Sequence, residues 1–133
     1  MILPKTVKPS KADEADAYEV ATLRDDNTCQ RCRRDCGPVA RDHRQNRQPG
    51  NTIVANLQCL GLRCHIWKTE HPSDALADGW AAPSWVNPRE WPARRYVRNR
   101  YGVTRLSWVL YGDAGEVTPI SDEEAKRLME AMG

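Results

Sequence analysis

Residues 29–65 read CQRCRRDCGPVARDHRQNRQPGNTIVANLQCLGLRCH and are the most informative part of the chain. The stretch begins with a Cys-x-x-Cys pair and ends with Cys-His, with Asp42-His43 and Asn56 between them. Cysteines spaced in this way are typical ligands of tetrahedral zinc. The carboxylate and imidazole groups are suited to holding a harder divalent cation against a phosphate. The stretch therefore predicts a structural metal and a reactive metal close together.

The composition on either side of this stretch is that of one small, polar domain. Of the 133 residues, 29% are charged, none is phenylalanine, and the mean hydropathy is −0.73. A core of this size gains stability from a structural zinc. The apolar runs are too short to span a membrane, and the N-terminal sequence MILPKTVKPSK lacks the apolar segment of a secretion signal. We therefore expect a cytoplasmic protein whose thiols are reduced and bound to metal.

Arginine is concentrated in two stretches of the chain. There are 15 arginines and 5 lysines, with six arginines in residues 31–47 and six in residues 89–105. The acidic residues collect instead in residues 13–26 and 113–130. A solvated surface is the ordinary interpretation of either stretch alone. Because arginine binds phosphate through two parallel hydrogen bonds, their coincidence with the metal motif favours a nucleic-acid partner.

The apolar pattern and the turn signals predict a mixed α+β fold. In the first part of the chain we expect a flexible arm, a helix, two short strands and a second helix. These elements are predicted at residues 1–11, 12–24, 39–44, 52–57 and 62–70, and a short helical turn follows from Pro72 to Gly79.

The second part of the chain is predicted to wrap around and extend this domain. Residues 80–92 are rich in Trp and Pro and predict an irregular strap that packs its indoles onto the domain. A strand pair at 103–111 and 117–120 and a capped helix at 122–132 follow. We therefore expect one domain over residues 12–94 and an extension over residues 95–133, made of a basic linker, a hairpin and a terminal helix.

The set Cys29-x-x-Cys32, Asp42-His43, Asn56-Leu57 and Cys64-His65 resembles the HNH endonucleases. This resemblance covers about residues 24–72 and implies a small ββα-metal domain stapled by zinc, here with an N-terminal helix and a C-terminal hairpin and helix. Further on, the runs HIWKTEHP, GW, PSW and EWP within residues 65–92 are similar to a branch common in phages of actinobacteria.

The resemblance implies a role for each residue at the reactive metal. His43 would be the general base that takes a proton from the attacking water, and Asn56 would hold the His43 ring through its side-chain amide. Asp42 and His65 would bind the catalytic Mg²⁺ or Mn²⁺, which Ni²⁺ can replace. Chemistry agrees with a histidine base and a carboxylate–imidazole metal site, because phosphodiester hydrolysis needs an activated water and a cation on the leaving oxygen.

The zinc motif departs from the family at one position. The family usually has a cysteine three residues before the Cys of Cys-His, whereas this chain has Gly61. Cys59 can supply the fourth ligand, Cys36 can supply it, or the site has three ligands or none. We favour zinc on two cysteine pairs with Cys36 as a spare thiol, and the predicted ligands are Cys29, Cys32, Cys59 and Cys64.

These assignments predict a metal-dependent endonuclease that nicks or cuts double-stranded DNA. The predicted contacts to the DNA backbone are Arg44, Arg47, Arg94, Arg95 and Arg98. The resemblance further implies a phage protein in the host cytoplasm that works beside the terminase or another packaging protein. The alternative is a catalytically silent, zinc-stabilised module that binds nucleic acid or a host protein, which the missing cysteine at Gly61 favours. A weaker alternative is a regulator that docks on a host enzyme through its acidic last helix.

Overall fold

The computed structural model describes residues 10–133 and confirms the mixed α+β class. The predicted flexible arm falls mainly on residues 1–9, which lie outside the described residues. Across residues 10–133, no helix is both long enough and apolar enough to cross a membrane. The elements in chain order are α1 (Lys11–Arg24), β1 (Val39–His43), a 3-10 turn (Val54–Asn56), β2 (Leu57–Gly61), α2 (Leu62–Glu70), α3 (Pro72–Ala77), β3 (Ala93–Arg98), β4 (Thr104–Tyr111), β5 (Val117–Ile120) and α4 (Asp122–Met132).

Helix α1 begins at a capping box. The Ser10 hydroxyl accepts a hydrogen bond from the Asp13 backbone N–H, and the Asp13 carboxylate accepts one from the Ser10 N–H. Two of the free N–H groups at the helix start are satisfied in this way. The helix buries Ala17 and Ala21 against the start of the second strand, which fixes α1 on one side of the β1–β2 pair.

Strands β1 and β2 form an antiparallel pair in which Asp42 lies opposite Gln58 and His43 opposite Leu57. The second strand was predicted at residues 52–57, but the structure places β2 at Leu57–Gly61. Every residue of β2 is buried, so the strand lacks the alternation of apolar and polar residues that marks a half-exposed strand. Helix α2 follows β2 directly, at its predicted position.

The C-terminal part forms a three-stranded antiparallel sheet in the order β3-β4-β5. Strands β4 and β5 and helix α4 lie where the sequence predicts them. Strand β3, however, occupies residues that were predicted in part as a basic linker. The sequence of β3 lacks the apolar alternation of a strand, because its buried positions hold the charged Arg95 as well as Ala93.

A buried ion cluster around Asp25 joins this sheet to α1 and β2. The Asp25 side chain is 0% exposed, and its Oδ1 accepts hydrogen bonds from Arg24 Nε at 2.8 Å and Arg95 Nη1 at 2.9 Å. Its Oδ2 accepts from Arg24 Nη2 and from the Cys59 backbone N–H, both at 2.9 Å. The segments on either side of residue 95 are therefore connected through one carboxylate.

Candidate metal centre and reactive cleft

Four cysteines converge between the turn at residues 29–36 and the start of α2. The sulfurs of Cys29, Cys32, Cys36 and Cys64 all lie within 4.8 Å of one another. Sulfurs bound to one tetrahedral zinc at about 2.3 Å lie about 3.8 Å apart, so this cluster can hold a zinc ion. The cluster packs against Leu60 in the core, which is where a structural metal would staple the turn to the sheet.

The fourth member of the cluster is Cys36, and the prediction of Cys59 is wrong. Cys59 lies on β2 beside α1, with its sulfur 3.9 Å from the Ala21 carbonyl oxygen. Burial, together with the nearby Asp25 carboxylate, raises the pKa of Cys59 to about 11, which keeps it a neutral thiol. Cys59 is therefore a core residue, and Cys36 is the ligand candidate.

Gly61 explains how Cys36 reaches the cluster. A Cβ atom built at Gly61 would collide with the Cys36 sulfur, so the sulfur fills the space that a side chain at residue 61 would need. The turn itself depends on left-handed backbone at Arg33 (φ 58°) and Gly37 (φ 107°), which curls three cysteines around one centre. Gly61 thus makes room for Cys36 as the fourth ligand candidate, and it does not indicate the loss of a metal site.

Burial and hydrogen bonds shift the pKa values of Cys29, Cys36 and Cys64. Burial raises the pKa of Cys64 to about 12 and also raises that of Cys36. Burial acts in the same direction on Cys29, but backbone N–H groups including those of Cys32 and Gly61 outweigh it and lower its pKa to about 7. A divalent cation offsets the repulsion between thiolates, so the donor set fits zinc.

Arg31 adds a positive charge at the edge of this cluster. Its guanidinium donates a hydrogen bond to the Cys64 sulfur at 3.4 Å and lies 3.6 Å from the centre of the Trp67 ring. Zinc held by four thiolates carries a net charge of about −2, and hydrogen bonds to the sulfurs stabilise it. Sequence reasoning assigned no role to Arg31, because its contact to Cys64 spans 33 residues of chain.

An open cleft of about 830 Å³ lies between β1, α2 and the strap. Three of the predicted catalytic residues, Asp42, His43 and His65, line it together. Lys68, one turn after His65 on α2, lines it as well and was missed by sequence reasoning. Its three-residue spacing from His65 on a predicted helix was the available signal.

Asp42 is the centre of the polar end of the cleft. Its Oδ1 lies 2.9 Å from His65 Nδ1, while its Oδ2 accepts from Lys68 Nζ at 2.7 Å and Gln58 Nε2 at 3.0 Å. Adjacent ligands of an octahedral cation with bonds of about 2.0–2.1 Å also lie about 2.9 Å apart. Asp42 and His65 therefore fit a divalent cation, which would replace the proton they share.

His43 lies at the end of β1 with its ring held on two sides. Its Nε2 lies 2.9 Å from the Thr52 hydroxyl oxygen, and Tyr18 packs edge-on at 6.2 Å between ring centres. Burial lowers the pKa of His43 from its usual 6.5, and the positive charge of Arg47 acts in the same direction. The ring is therefore neutral at pH 7 and can accept a proton.

Asn56 does not have the predicted role of orienting His43. Its Nδ2 donates to the Asn51 carbonyl oxygen and its Oδ1 accepts from the Gln45 backbone N–H, each at 2.9 Å. The Asn56 side chain is fully buried in the 3-10 turn. Its two hydrogen bonds hold together the two ends of the loop at residues 45–51. Thr52 makes the contact to His43, and no sequence pattern marks this threonine.

Two of the five arginines predicted to contact DNA are buried. Arg44 is 1% exposed, and burial lowers its pKa to about 10, which leaves it charged at pH 7. Arg95 is occupied by Asp25, so the DNA-contact predictions for Arg44 and Arg95 are wrong. The guanidinium of Arg44 donates to the carbonyl oxygens of Ala55, Pro88, Trp91 and Pro92.

The other three predicted DNA contacts differ in exposure. Arg94 is partly buried, with its guanidinium 4.4 Å from the centre of the Trp108 ring. Arg98 is exposed at the end of β3. Arg47 is 69% exposed and lines the cleft beside His43, so it has the most direct access to a phosphate bound there.

Comparison with known proteins adds no family to this geometry. No protein-family model, no curated protein and no solved structure matches the chain. The functional assignment therefore depends on two features of the fold, the four-cysteine cluster and the Asp42–His65 pair beside His43.

Proposed function

We propose that this protein is a metal-dependent endonuclease of the HNH type, which hydrolyses phosphodiester bonds in DNA. One observation carries the proposal: a neutral His43 and an Asp42–His65 pair with the spacing of metal ligands border the same open cleft. The order of β1, β2 and α2 beside a cysteine cluster supports the finer assignment to a ββα-metal fold.

In the proposed reaction His43 activates the attacking water. When Nε2 donates its proton to the Thr52 hydroxyl oxygen, Nδ1 has the free lone pair that takes a proton from water. Asp42 and His65 would hold Mg²⁺ or Mn²⁺, which supplies positive charge for the scissile phosphate and the leaving oxygen. Lys68 ties down Asp42 Oδ2, which leaves Oδ1 as the atom directed at His65.

The polar end of the cleft is suited to a phosphodiester. Arg41 and Arg47 line it together with Lys68, and Asp42 is the one carboxylate among the described lining residues. Lys68 neutralises that carboxylate, and Arg47 lies 3.9 Å from Glu14 outside the lining, so these five groups together have a net charge of +1. Such a surface attracts the DNA backbone, and the binding weakens as the salt concentration increases.

Plasmid nicking tests the proposal. We expect zinc-loaded protein to convert supercoiled plasmid to nicked circle with Mg²⁺, Mn²⁺ or Ni²⁺, and the His43→Ala variant to lose at least a hundredfold in rate, as loss of a general base does. His71→Ala is the matched control, because His71 is exposed and stacks on Trp67 outside the cleft. An unchanged rate in His43→Ala would refute the assignment of the base.

A catalytically silent nucleic-acid-binding module is the second candidate. Lys68 favours it, because its ammonium group lies 2.7 Å from Asp42 and 2.7 Å from the His43 carbonyl oxygen, where it already balances the carboxylate. This candidate predicts that the protein retards DNA in a gel and leaves the plasmid supercoiled with every cation.

A further inference from the structure

Part of the cleft lining is apolar and exposed. Leu62 and Leu76 are 49% and 37% exposed there, although both are large aliphatic side chains. Ala81, Ala82 and Pro83 of the strap form the adjoining wall. Exposed aliphatic surface of this kind beside a charged site marks a binding region.

Trp85 stands at the edge of this apolar wall. The strap was predicted to pack all of its indoles, and Trp80 and Trp91 are indeed buried at 3% and 5% exposure, whereas Trp85 is 72% exposed. Its Nε1–H donates to the Met132 carbonyl oxygen at 2.9 Å, so the ring is anchored at the C-terminal end of α4. The ring is thus both exposed and held in place, which lowers the entropy lost when another ring stacks on it.

The strap places this ring close to the reactive residues. The Ala82 N–H donates to the Arg44 carbonyl oxygen at 2.9 Å, so the strap runs alongside the residue that follows His43. Trp85 is three residues further on, which limits its Cα to about 11 Å from that of Ala82. One ligand can therefore contact both the charged residues and Trp85, which line the same cleft.

A nucleotide with an unpaired base has the chemistry that fits both the charged residues and the indole. Its phosphate carries the negative charge that Arg41, Arg47 and Lys68 attract, and its base has the flat apolar face that an indole stacks on. A base inside a duplex is excluded, because neighbouring base pairs cover both of its faces. Positively charged grooves with an exposed aromatic ring are the usual means of binding single-stranded nucleic acid.

We propose that Trp85 stacks on an unpaired nucleobase next to the phosphate bound at the Asp42 end of the cleft. This inference rests on the proposed function and narrows its substrate class to DNA with an extrahelical or single-stranded nucleotide. Fully paired duplex, the substrate expected from sequence, is then the weaker ligand.

Binding to matched duplexes tests this inference without catalysis. Two fluorescein-labelled duplexes of the same sequence, one with a single bulged nucleotide, are titrated with zinc-loaded protein in the absence of added divalent cation, and anisotropy is read. We expect the bulged duplex to bind at least tenfold more tightly. Trp85→Ala is expected to weaken that binding about 5- to 150-fold, the range for loss of one base–aromatic stack, and to leave the paired duplex unaffected.

Two further variants make the result specific. Tyr101→Ala removes an aromatic ring that is 75% exposed and outside the cleft lining, and it should keep the preference for the bulge. Trp85→Phe keeps a stacking ring but loses the bond to Met132, and should retain part of the preference. Equal binding of both duplexes by the wild type, binding of neither, or an unchanged preference in Trp85→Ala overturns the inference. Because the binding test needs no cleavage, a preference for the bulge without cleavage of the same bulged duplex in Mg²⁺ or Mn²⁺ would remove the nuclease and keep the nucleotide site.

Discussion

Asp25 and Asp42 are both buried carboxylates that engage two basic side chains, yet they have opposite characters. Asp25 is enclosed by Arg24, Arg95 and the Cys59 N–H, with two donors on each oxygen. Asp42 has two donors on Oδ2, but its Oδ1 faces only His65 among residues 10–133. The His65 side chain is 50% exposed, so this oxygen lies at the border of the cleft.

The difference shows what separates a structural carboxylate from one that can bind a ligand. Both cost free energy to bury, and both are compensated by charge and hydrogen bonds. In Asp25 all the hydrogen-bonding capacity is used within the protein, so it stabilises the fold and nothing else. In Asp42, Lys68 and Gln58 fix Oδ2, whereas Oδ1 contacts only His65 among the described residues and can bind a cation in addition.

The largest expected effect is the loss of zinc when a cysteine of the cluster is replaced, compared with replacement of the cysteine beside Asp25. Cys36→Ala should remove the structural zinc, whose binding contributes on the order of 10 kcal/mol in small zinc domains. Cys59→Ala should keep the zinc, because Cys59 lies beside Asp25 and outside the cluster. Zinc content per chain, measured by mass spectrometry under native conditions, checks both variants.

A double variant sharpens this test. Cys36→Ala combined with Gly61→Cys removes the sulfur that would collide with a side chain at residue 61 and offers a replacement thiol. We expect the double variant to recover one zinc per chain and Gly61→Cys alone to destabilise the fold. Zinc bound normally by Cys36→Ala alone would contradict the assigned ligand set.

The same substitution at the two aspartates should have different consequences for stability. Asp25→Asn leaves Arg24 and Arg95 buried without their counter-charge and should cost about 3–5 kcal/mol in the free energy of unfolding. Asp42→Asn should cost about 1–2 kcal/mol, because Lys68 keeps its bond to the His43 carbonyl oxygen. Urea denaturation measures both, and equal losses would show that the two carboxylates are alike.

For cation binding, we expect the larger effect from Asp42→Asn, whereas for stability we expect it from Asp25→Asn. Asp42→Asn removes the charge that attracts a divalent cation, so we expect the affinity for Mn²⁺ to fall at least tenfold, or about 1.4 kcal/mol. Asp25→Asn should leave it unchanged under conditions where the protein is folded. Titration of zinc-loaded protein with Mn²⁺, followed by electron paramagnetic resonance, gives the affinities. An Asp42→Asn variant that binds Mn²⁺ normally would exclude this carboxylate as a ligand.

The smallest effect is expected at Lys68. Replacing it by Met removes an ammonium group 2.7 Å from Asp42, which should tighten Mn²⁺ binding by about threefold or more. Lys126→Met is the matched control on α4, where the lysine is exposed. Weaker binding in Lys68→Met would instead mean that Lys68 is needed to position Asp42.

Local signals in the sequence predicted the elements that depend on local chemistry. Pro72 and Gly79 bound the short helix α3 closely, and Ser121 caps α4 through the Glu124 N–H. Strand β3 was missed because Arg95 is buried only through its pairing with Asp25, which lies 70 residues away. A contact of that kind leaves no periodic pattern in the chain.

The candidate site was predictable in its residue types and less so in its contacts. Asp42, His43 and His65 converge as expected, since the strand and helix that carry them were recognised. Cys36 was set aside in favour of Cys59 because the left-handed backbone at Arg33 and Gly37 cannot be read from spacing. Exposure of Trp85 likewise depends on where α4 ends.

Arg44 ties the position of His43 to the far end of the strap. Its guanidinium bonds three strap carbonyls and that of Ala55, its N–H donates to the Asn56 carbonyl oxygen, and its own carbonyl accepts from Ala82. Native-state hydrogen exchange should therefore show the end of β1, the 3-10 turn and the strap opening as one cooperative unit. The two neighbouring residues would then be constrained in different ways. Residue 43 would be constrained by the proposed chemistry in the cleft, and residue 44 by the hydrogen bonds that connect β1 to the strap and the 3-10 turn.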